Sequence, residues 1–420
     1  MTFENFADAH WTILWLGFAV AFVMGAVVNK TNFCTMGSVS DMVNMGDSGR
    51  FRSWVLAFTV AMLGVAIIEG IGLISVDQTI PPYRSSNFAW LEYILGGILF
   101  GIGMTYGSGC GSKTLIRIGG GNIKSIIVFL AIAVCAYFML NPFPGSDQTI
   151  YSLVFYHWTS PTSISLASQQ DLGSLLGRVF GTEAAATRVV VGLVLVALLA
   201  WLLFKSADFR KSFDNILGGA VVGLAVLAAW YITDAAVIDV SGETFTWTEY
   251  ADSGNWSFME EGNPPRSVGT QSYTFINPVG QTLGYASEGF ASRYLTFGVM
   301  AVFGVILGSL FWALLSKAFR VEWFVNIRDF LNHVIGGALM GIGGVLALGC
   351  TVGQGITGIS TLALGSFLAF GGIVLGSAMT MKIQYYKMVY EDEASFGKAF
   401  VTALVDFKLL PGSMRKLDAI

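Results

Sequence analysis

Long apolar runs separated by short polar stretches dominate this chain. A hydrocarbon layer of about 30 Å takes roughly 20 apolar residues to cross as a helix. Nine runs approach or meet that length, near residues 11–29, 54–76, 90–107, 123–141, 187–204, 214–232, 294–316, 331–348 and 366–386. The pattern predicts an all-α polytopic membrane protein with about nine transmembrane helices. Two stretches interrupt it from within, GSGCGSKTLIRIGGGN at 107–122 and ALGCTVGQGITGIS at 347–360. Each sets clustered glycines and a cysteine against an apolar helix. Helix packing accounts for Gly97xxxGly101 and Gly337xxxGly341, because paired glycines bring backbones close. It does not account for Gly107–Ser112 or Gly349–Gly355, where the apolar pattern itself stops. Non-helical backbone at membrane depth survives only where protein or water satisfies its polar groups, so these breaks are expected to line a path.

Composition agrees, with 54% apolar and 12% charged residues and a mean hydropathy of +0.66, far from the balance of a soluble domain. The opening MTFENFADAH carries Glu4 and Asp8 where a signal peptide needs basic charge, so the first run is expected to be a retained span. Basic residues mark the cytoplasmic side: Lys30, Arg50 and Arg52 after the first run, Lys205, Arg210 and Lys211 after the fifth, Lys317, Arg320 and Arg328 after the seventh, and Lys387, Lys398, Arg415 and Lys416 in the tail. Residues 234–292 carry eight acidic side chains against Arg266 alone and read as an outer cap. The N-terminus is therefore expected outside and the C-terminus in the cytoplasm.

The segment Leu95–Cys110 aligns without a gap on Ile335–Cys350, with the glycine pairs, Leu99/Leu339, Gly101/Gly341, Ile102/Ile342, Gly103/Gly343, Gly109/Gly349 and the cysteines coinciding. This is an internal duplication. An odd number of crossings separates the copies, so they must face opposite ways, the inverted-repeat plan of transporters that bind near the midplane. The expected division is a first half over 1–141, an outer loop over 142–186, a linking helix and inner loop over 187–213, a second, inverted half over 214–387 that includes the cap, and a cytoplasmic tail over 388–420. Order alone puts the counterpart of Cys34 around Tyr231 to Ala235, where there is no cysteine.

A broken helix offers free backbone N–H groups and a positive dipole end, which attract anions. Lys113 and Arg117 add cations just beyond Cys110 and read either as anchors in a short positive-inside loop or as attracting an anion at a pore mouth, whereas Lys124, at a helix start, reads as an anchor. GSGCGSKT resembles a phosphate-binding loop but has Ser112 where that pattern needs glycine, so nucleotide binding is not expected. His10, His157 and His333 have no metal partners at usable spacing, and neither metal nor cofactor is expected. Nothing points to nucleic acid. The four cysteines are far apart with no CxxC pair, which argues against a disulfide framework or a dithiol motif. Cys135 lies in an unbroken apolar run and reads as a small hydrophobe.

Cys34, Cys110 and Cys350 remain as the distinctive chemistry, with Gly109, Gly111, Lys113, Arg117, Gly349, Thr351 and Gln354 as supporting pathway residues. A neutral thiol is a soft, weak donor that suits a sulfur-bearing anion. A thiolate would repel a dianion at contact by about several kcal/mol at an effective dielectric near 20. Neutral thiols handing an anion along by S–H hydrogen bonds are therefore expected, with contacts weak enough to release it. Two alternatives remain open: a membrane thiol oxidoreductase or sulfurtransferase using the same cysteines covalently, and a neutral-solute channel. Glu69, costly at membrane depth, reads either as functional or as a polar contact near the outer surface.

GCGSKTLIRIGGGNIKS and LGCTVGQGITGISTLALGS resemble the two signature stretches of the YeeE/YedE family of sulfur-compound membrane transporters, and NFCTMGSVSD resembles its third, N-terminal cysteine element. The resemblance covers essentially all the spans. It implies an hourglass-shaped inverted repeat of nine full spans with several half-length broken helices, in the bacterial inner membrane, carrying thiosulfate inward past three cysteines. Those cysteines fall on Cys34, Cys110 and Cys350. The resemblance also implies a small cytoplasmic sulfur carrier of the TusA type as a partner. The stretches 142–186 and 234–292 are longer than a minimal member requires, which leaves other sulfur or selenium species open beside thiosulfate.

Overall fold

The computed structural model describes residues 1–418; the last two residues of the 388–420 tail lie outside the described part. The helices that position the site are α1 (Phe6–Thr31), α2 (Thr35–Ser40), α3 (Gly49–Gly70), α4 (Trp90–Tyr106), α5 (Gly111–Gly119), α6 (Ile123–Leu140), α7 (Ala184–Phe204), α8 (Phe213–Asp234), α9 (Ile276–Ser287), α10 (Phe297–Leu315), α11 (Ile327–Leu346), α12 (Leu364–Val389) and α13 (Phe396–Asp406). A further short helix spans 351–360. Among the described residues nine helical segments are long and apolar enough to cross a membrane, built on α1, α3, α4, α6, α7, α8, α10, α11 and α12. The chain is an all-α multi-pass membrane protein.

Glycines decide how the spans meet. A Cβ placed on Gly96 would lie 2.7 Å from the Gly343 carbonyl, and one on Gly103 would lie 2.7 Å from the Gly336 carbonyl. The indices run in opposite senses, so α4 and α11 are antiparallel. Since Gly336 and Gly343 stand 240 residues after Gly96 and Gly103, each glycine meets the counterpart of the other, the reciprocity a twofold contact requires. The flanking contacts repeat as well. Gly97 and Gly101 of α4 face Ala369, Ile373 and Ser377 of α12, while Gly337 and Gly341 of α11 face Val128, Ile132 and Ala136 of α6. Cys135 stands in this second contact, 2.9 Å from a Cβ built on Gly341, where it fills a helix interface as a small hydrophobe. The fifth span, α7, is the least buried of the nine.

One end of the bundle carries most of the non-helical structure. Strand β1 (Thr2–Phe3) pairs in parallel with β4 (Val237–Val240), which turns back antiparallel onto β5 (Glu243–Thr246); β2 (Asn87–Phe88) and β3 (Ile164–Ser165) pair separately. Ser241 and Gly242 both have positive φ, as a two-residue hairpin turn demands. Phe6 stacks on Tyr250 and meets Trp256 edge-on, fixing the start of α1 to this cap. The stretch 234–292 is not cap throughout. Residues 270–275 run back among the spans, with Tyr273 and Phe275 fully buried, and α9 then packs against α6 and α10.

Candidate functional site

Both sequence breaks make the same turn. At the end of α4, Gly107 N–H donates to the Gly103 carbonyl (2.8 Å) and Gly109 N–H to Met104 (2.9 Å), across Ser108 at φ +57°. At the end of α11, Ala347 N–H donates to Gly343 (2.9 Å) and Gly349 N–H to Gly344 (2.7 Å), across Leu348 at φ +58°. These are Schellman terminations, which satisfy the last helical carbonyls internally. Glycine normally holds the left-handed position, and neither Ser108 nor Leu348 is glycine; the cost there is of order 1–2 kcal/mol. Two residues on in each case is a cysteine that opens a new short helix: Cys110 is the N-cap of α5, and Cys350 precedes the helix at 351–360. The second copy reaches its next positive-φ residue, Leu362, one position later than the first reaches Gly121. A π-helical stretch at Gly353–Gly358 absorbs that extra residue, as such bulges do.

Cys34 follows the same plan on a third chain segment. It is the N-cap of α2, and its Sγ accepts from Gly37 N–H at 3.4 Å. Cys350 Sγ accepts from Gly353 N–H at the same 3.4 Å, and lies 4.0 Å from Thr274 Oγ1. Cys110 Sγ lies 3.2 Å from Ser112 Oγ. All three are buried and unoxidised, at 7%, 1% and 0% exposure for Cys34, Cys110 and Cys350. Cys110 lies within electrostatic reach of both Cys34 and Cys350.

Phe33, Ser112, Phe275 and Val352 line one small cavity with Met24 and Val28. Its free space of about 10 Å³ holds roughly a single water. Each of those four residues stands within two positions of a short-helix start: α2, α5, α9 and 351–360. The fourth start, Phe275 before α9, takes the place where order alone had put Tyr231–Ala235. Sequence reasoning missed it by treating 234–292 as one cap, although 270–287 is the part of that stretch with no charged residue, the signal that could have found it. Four helix starts, each a positive dipole end, thus meet at one cavity.

Two of the helices that start there, α2 and 351–360, carry bare polar side chains. Thr35 Oγ1, Thr351 Oγ1 and Gln354 Oε1 are buried with no hydrogen-bond partner among the described residues, although such atoms are nearly always paired. Gln354 Nε2 is held by the Ala347 carbonyl at 2.5 Å. Lys113 and Arg117 are half-buried and make no ion pair among the described residues. The stem of Lys113 lies against Gly109, 3.2 Å from a Cβ built there, so Gly109 is small for a reason. Gly111 likewise allows close approach to Ile276, and Gly349 completes the turn before Cys350. Arg50 grips Asp41 with two hydrogen bonds and lies over Gly37, beside Cys34. Lys124 pairs with Asp329 at 2.8 Å, a packing role.

Glu69 belongs to a different cluster, at the cap end. Arg84, 1% exposed, holds both Glu69 oxygens and Asp77, and Arg188 holds Asp77, Asp171 and Gln169. Arg84 Nε also donates to the Thr361 carbonyl at 3.1 Å, placing a cation at the carbonyl end of the 351–360 helix. Leu172 N–H donates to Leu362 at 3.0 Å beside it. The helix that starts at Cys350 is therefore clamped at its far end.

Comparison with known proteins fits this geometry. The chain is 23% identical over 375 residues to a protein of Escherichia coli (strain K12) named thiosulfate transporter TsuA, covering 84% of this chain and 90% of the relative. It is 25% identical over 366 residues to one of the same name from Spirochaeta thermophila, covering 87% of this chain and 97% of the relative. A family model described as sulphur transport matches residues 30–379, a span that takes in Cys34, Cys110, Cys350 and every helix around them. The chain belongs to that sulphur transport family, the YeeE/YedE family that its cysteine stretches resemble.

Proposed function

We propose that this protein takes up thiosulfate, or a closely related sulfur-containing anion, across the bacterial inner membrane through a central pathway lined by Cys34, Cys110 and Cys350. One observation carries the reading: three buried thiols each stand at the start of a short helix, and the starts of those helices meet at one small cavity lined by their neighbours Phe33, Ser112 and Val352. The relatives' shared name supports the substrate. The reciprocal contact of α4 with α11 supports two halves inserted in opposite directions, with the N-terminus and cap outside and the tail in the cytoplasm. A TusA-type sulfur carrier at the cytoplasmic face completes the reading as a partner.

The chemistry follows from what each group has left to give. The sulfurs of Cys34 and Cys350 already accept a weak bond from a backbone N–H, which leaves their S–H protons free to donate. A thiolate in this apolar surrounding would be costly to bury and would repel an incoming dianion. Neutral S–H groups instead offer weak, soft contacts to the terminal sulfur of thiosulfate, while Thr35, Thr351 and helix N–H groups serve its oxygens. Lys113 and Arg117 supply the attraction that brings a doubly charged ion to so dry a centre. No contact is strong enough to hold it, so the ion passes on.

The test is uptake of labelled thiosulfate into proteoliposomes by single Cys34→Ala, Cys110→Ala and Cys350→Ala variants. Each is expected to lower the initial rate by about tenfold or more, the scale of a lost hydrogen bond at a desolvated ion, with the protein still folded. Parental rates in all three variants would remove the relay and leave a general anion pore.

A further inference from the structure

A pocket of about 210 Å³ opens at the cap end between α6, α9 and the start of α10, and the thiol pathway does not use it. None of its lining residues is acidic, although residues 234–292 hold eight carboxylates. Its one charge is Arg266, the sole basic residue of that stretch, which makes no ion pair among the described residues. The geometry points to a capture site here for a small divalent sulfur oxyanion, with Arg266 as its anchor.

Three features make this a built site. Arg266 is held from both sides: its N–H donates to the Arg293 carbonyl at 3.0 Å, Arg293 Nε donates to Pro264 at 3.1 Å, and the Arg266 guanidinium lies 4.7 Å from the Tyr294 ring centre. A stacked guanidinium loses little freedom when it grips an oxyanion with two parallel N–H groups. Donors are arranged beside it. Thr296 Oγ1 donates to Gln281 Oε1 (2.7 Å) and Gln281 Nε2 donates to Ser267 Oγ (3.0 Å), which leaves the Ser267 hydroxyl proton free. Asn277 contributes an amide to the same lining. Room comes from Gly280 and Gly284, whose bare backbones face Tyr137. The pocket and the central cavity lie along one element: Asn277, on α9, lines the pocket, and Phe275, the N-cap of α9, lines the central cavity.

The inference rests on the transport reading above and gives the cap a role in it. Arg266 collects the anion from water and the central thiols pass it on, so the two act on different kinetic quantities. Removing the collector weakens capture, and removing a thiol slows passage.

The experiment measures thiosulfate uptake into proteoliposomes against concentration for Arg266→Gln and Arg266→Lys, beside Cys110→Ala. Arg266→Gln is expected to raise the half-saturating concentration about tenfold with the maximal rate within about twofold, and Arg266→Lys to restore part of the loss because it keeps the charge without the fork. In the unmodified protein, thiosulfate is expected to slow phenylglyoxal modification of Arg266, and equal ionic strength of chloride is not. An unchanged half-saturation in Arg266→Gln, or equal protection by chloride, overturns the capture site. If Cys110→Ala still lowers the rate about tenfold or more in that case, the transport reading stands without it.

Discussion

At Cys110 and Cys350 the backbone makes the same turn, with matching hydrogen bonds and matching φ at Ser108 and Leu348, yet the two sites differ in charge. The first is followed by Lys113 and Arg117 on a regular α-helix. The second is followed by Thr351, Val352 and Gln354, all buried and uncharged, on a helix loosened by a π stretch. What is shared sets position, because both turns are produced by glycines packed backbone to backbone. What differs sets the work. On the proposed route, one break attracts the ion from a distance, and the other receives it in a dry setting with hydroxyl, amide and thiol donors.

The shared part is tested by paired substitutions. A Cβ on Gly103 would lie 2.7 Å from both the Gly336 carbonyl and Met340 N, and one on Gly343 would lie 2.6 Å from both the Gly96 carbonyl and Phe100 N. Gly103→Leu and Gly343→Leu are therefore expected to abolish folded protein. The alanine changes are expected to cost about 1–3 kcal/mol each, measured as matching drops in thermal stability in detergent. A tolerant Gly103→Ala beside a ruinous Gly343→Ala would break the equivalence.

The difference in charge is tested next. Lys113→Met with Arg117→Met is expected to lower thiosulfate uptake by about ten- to a hundredfold, the scale of two lost charge contacts, and to flatten the fall of the rate with added salt. Val352→Ala, beside the second cysteine, is expected to leave the salt dependence alone. Smaller still is the effect of the bare hydroxyls. Thr351→Val and Thr35→Val remove buried oxygens that have no partner, so each is expected to raise stability by about 1 kcal/mol while slowing uptake severalfold. Loss of stability with uptake untouched would mean those hydroxyls serve packing.

The spans were legible because a helix that crosses lipid must stay apolar for its whole length, and the runs ending near 29, 107, 204 and 348 match α1, α4, α7 and α11 closely. The breaks were legible because glycine and cysteine replace that pattern where the helices stop. Three features were not. The start of α9 at Ile276 follows an acidic cap stretch, and its twelve helical residues, containing Pro278 and two glycines, are too short to register as a span. The π stretch at 353–358 needs the one-residue offset between Gly121 and Leu362, which only the backbone reveals. Glu69 reads from the sequence either as a functional group or as a polar contact near the outer surface, and its partners Arg84 and Arg188, which make it a polar contact at the cap end, come from a loop and from α7 that the local pattern around Glu69 does not reveal.

The most direct measurement is thiol labelling in the reconstituted protein with a small, charged thiosulfonate reagent, reading each cysteine by mass spectrometry with and without thiosulfate. Cys34, Cys110 and Cys350 are expected to react slowly and to be protected by thiosulfate, with Cys135 unaffected by the ion and no persulfide left on any of the four after turnover. Labelling of the three that ignores thiosulfate, or a persulfide that accumulates on Cys110, would contradict a route in which protonated thiols pass the ion along.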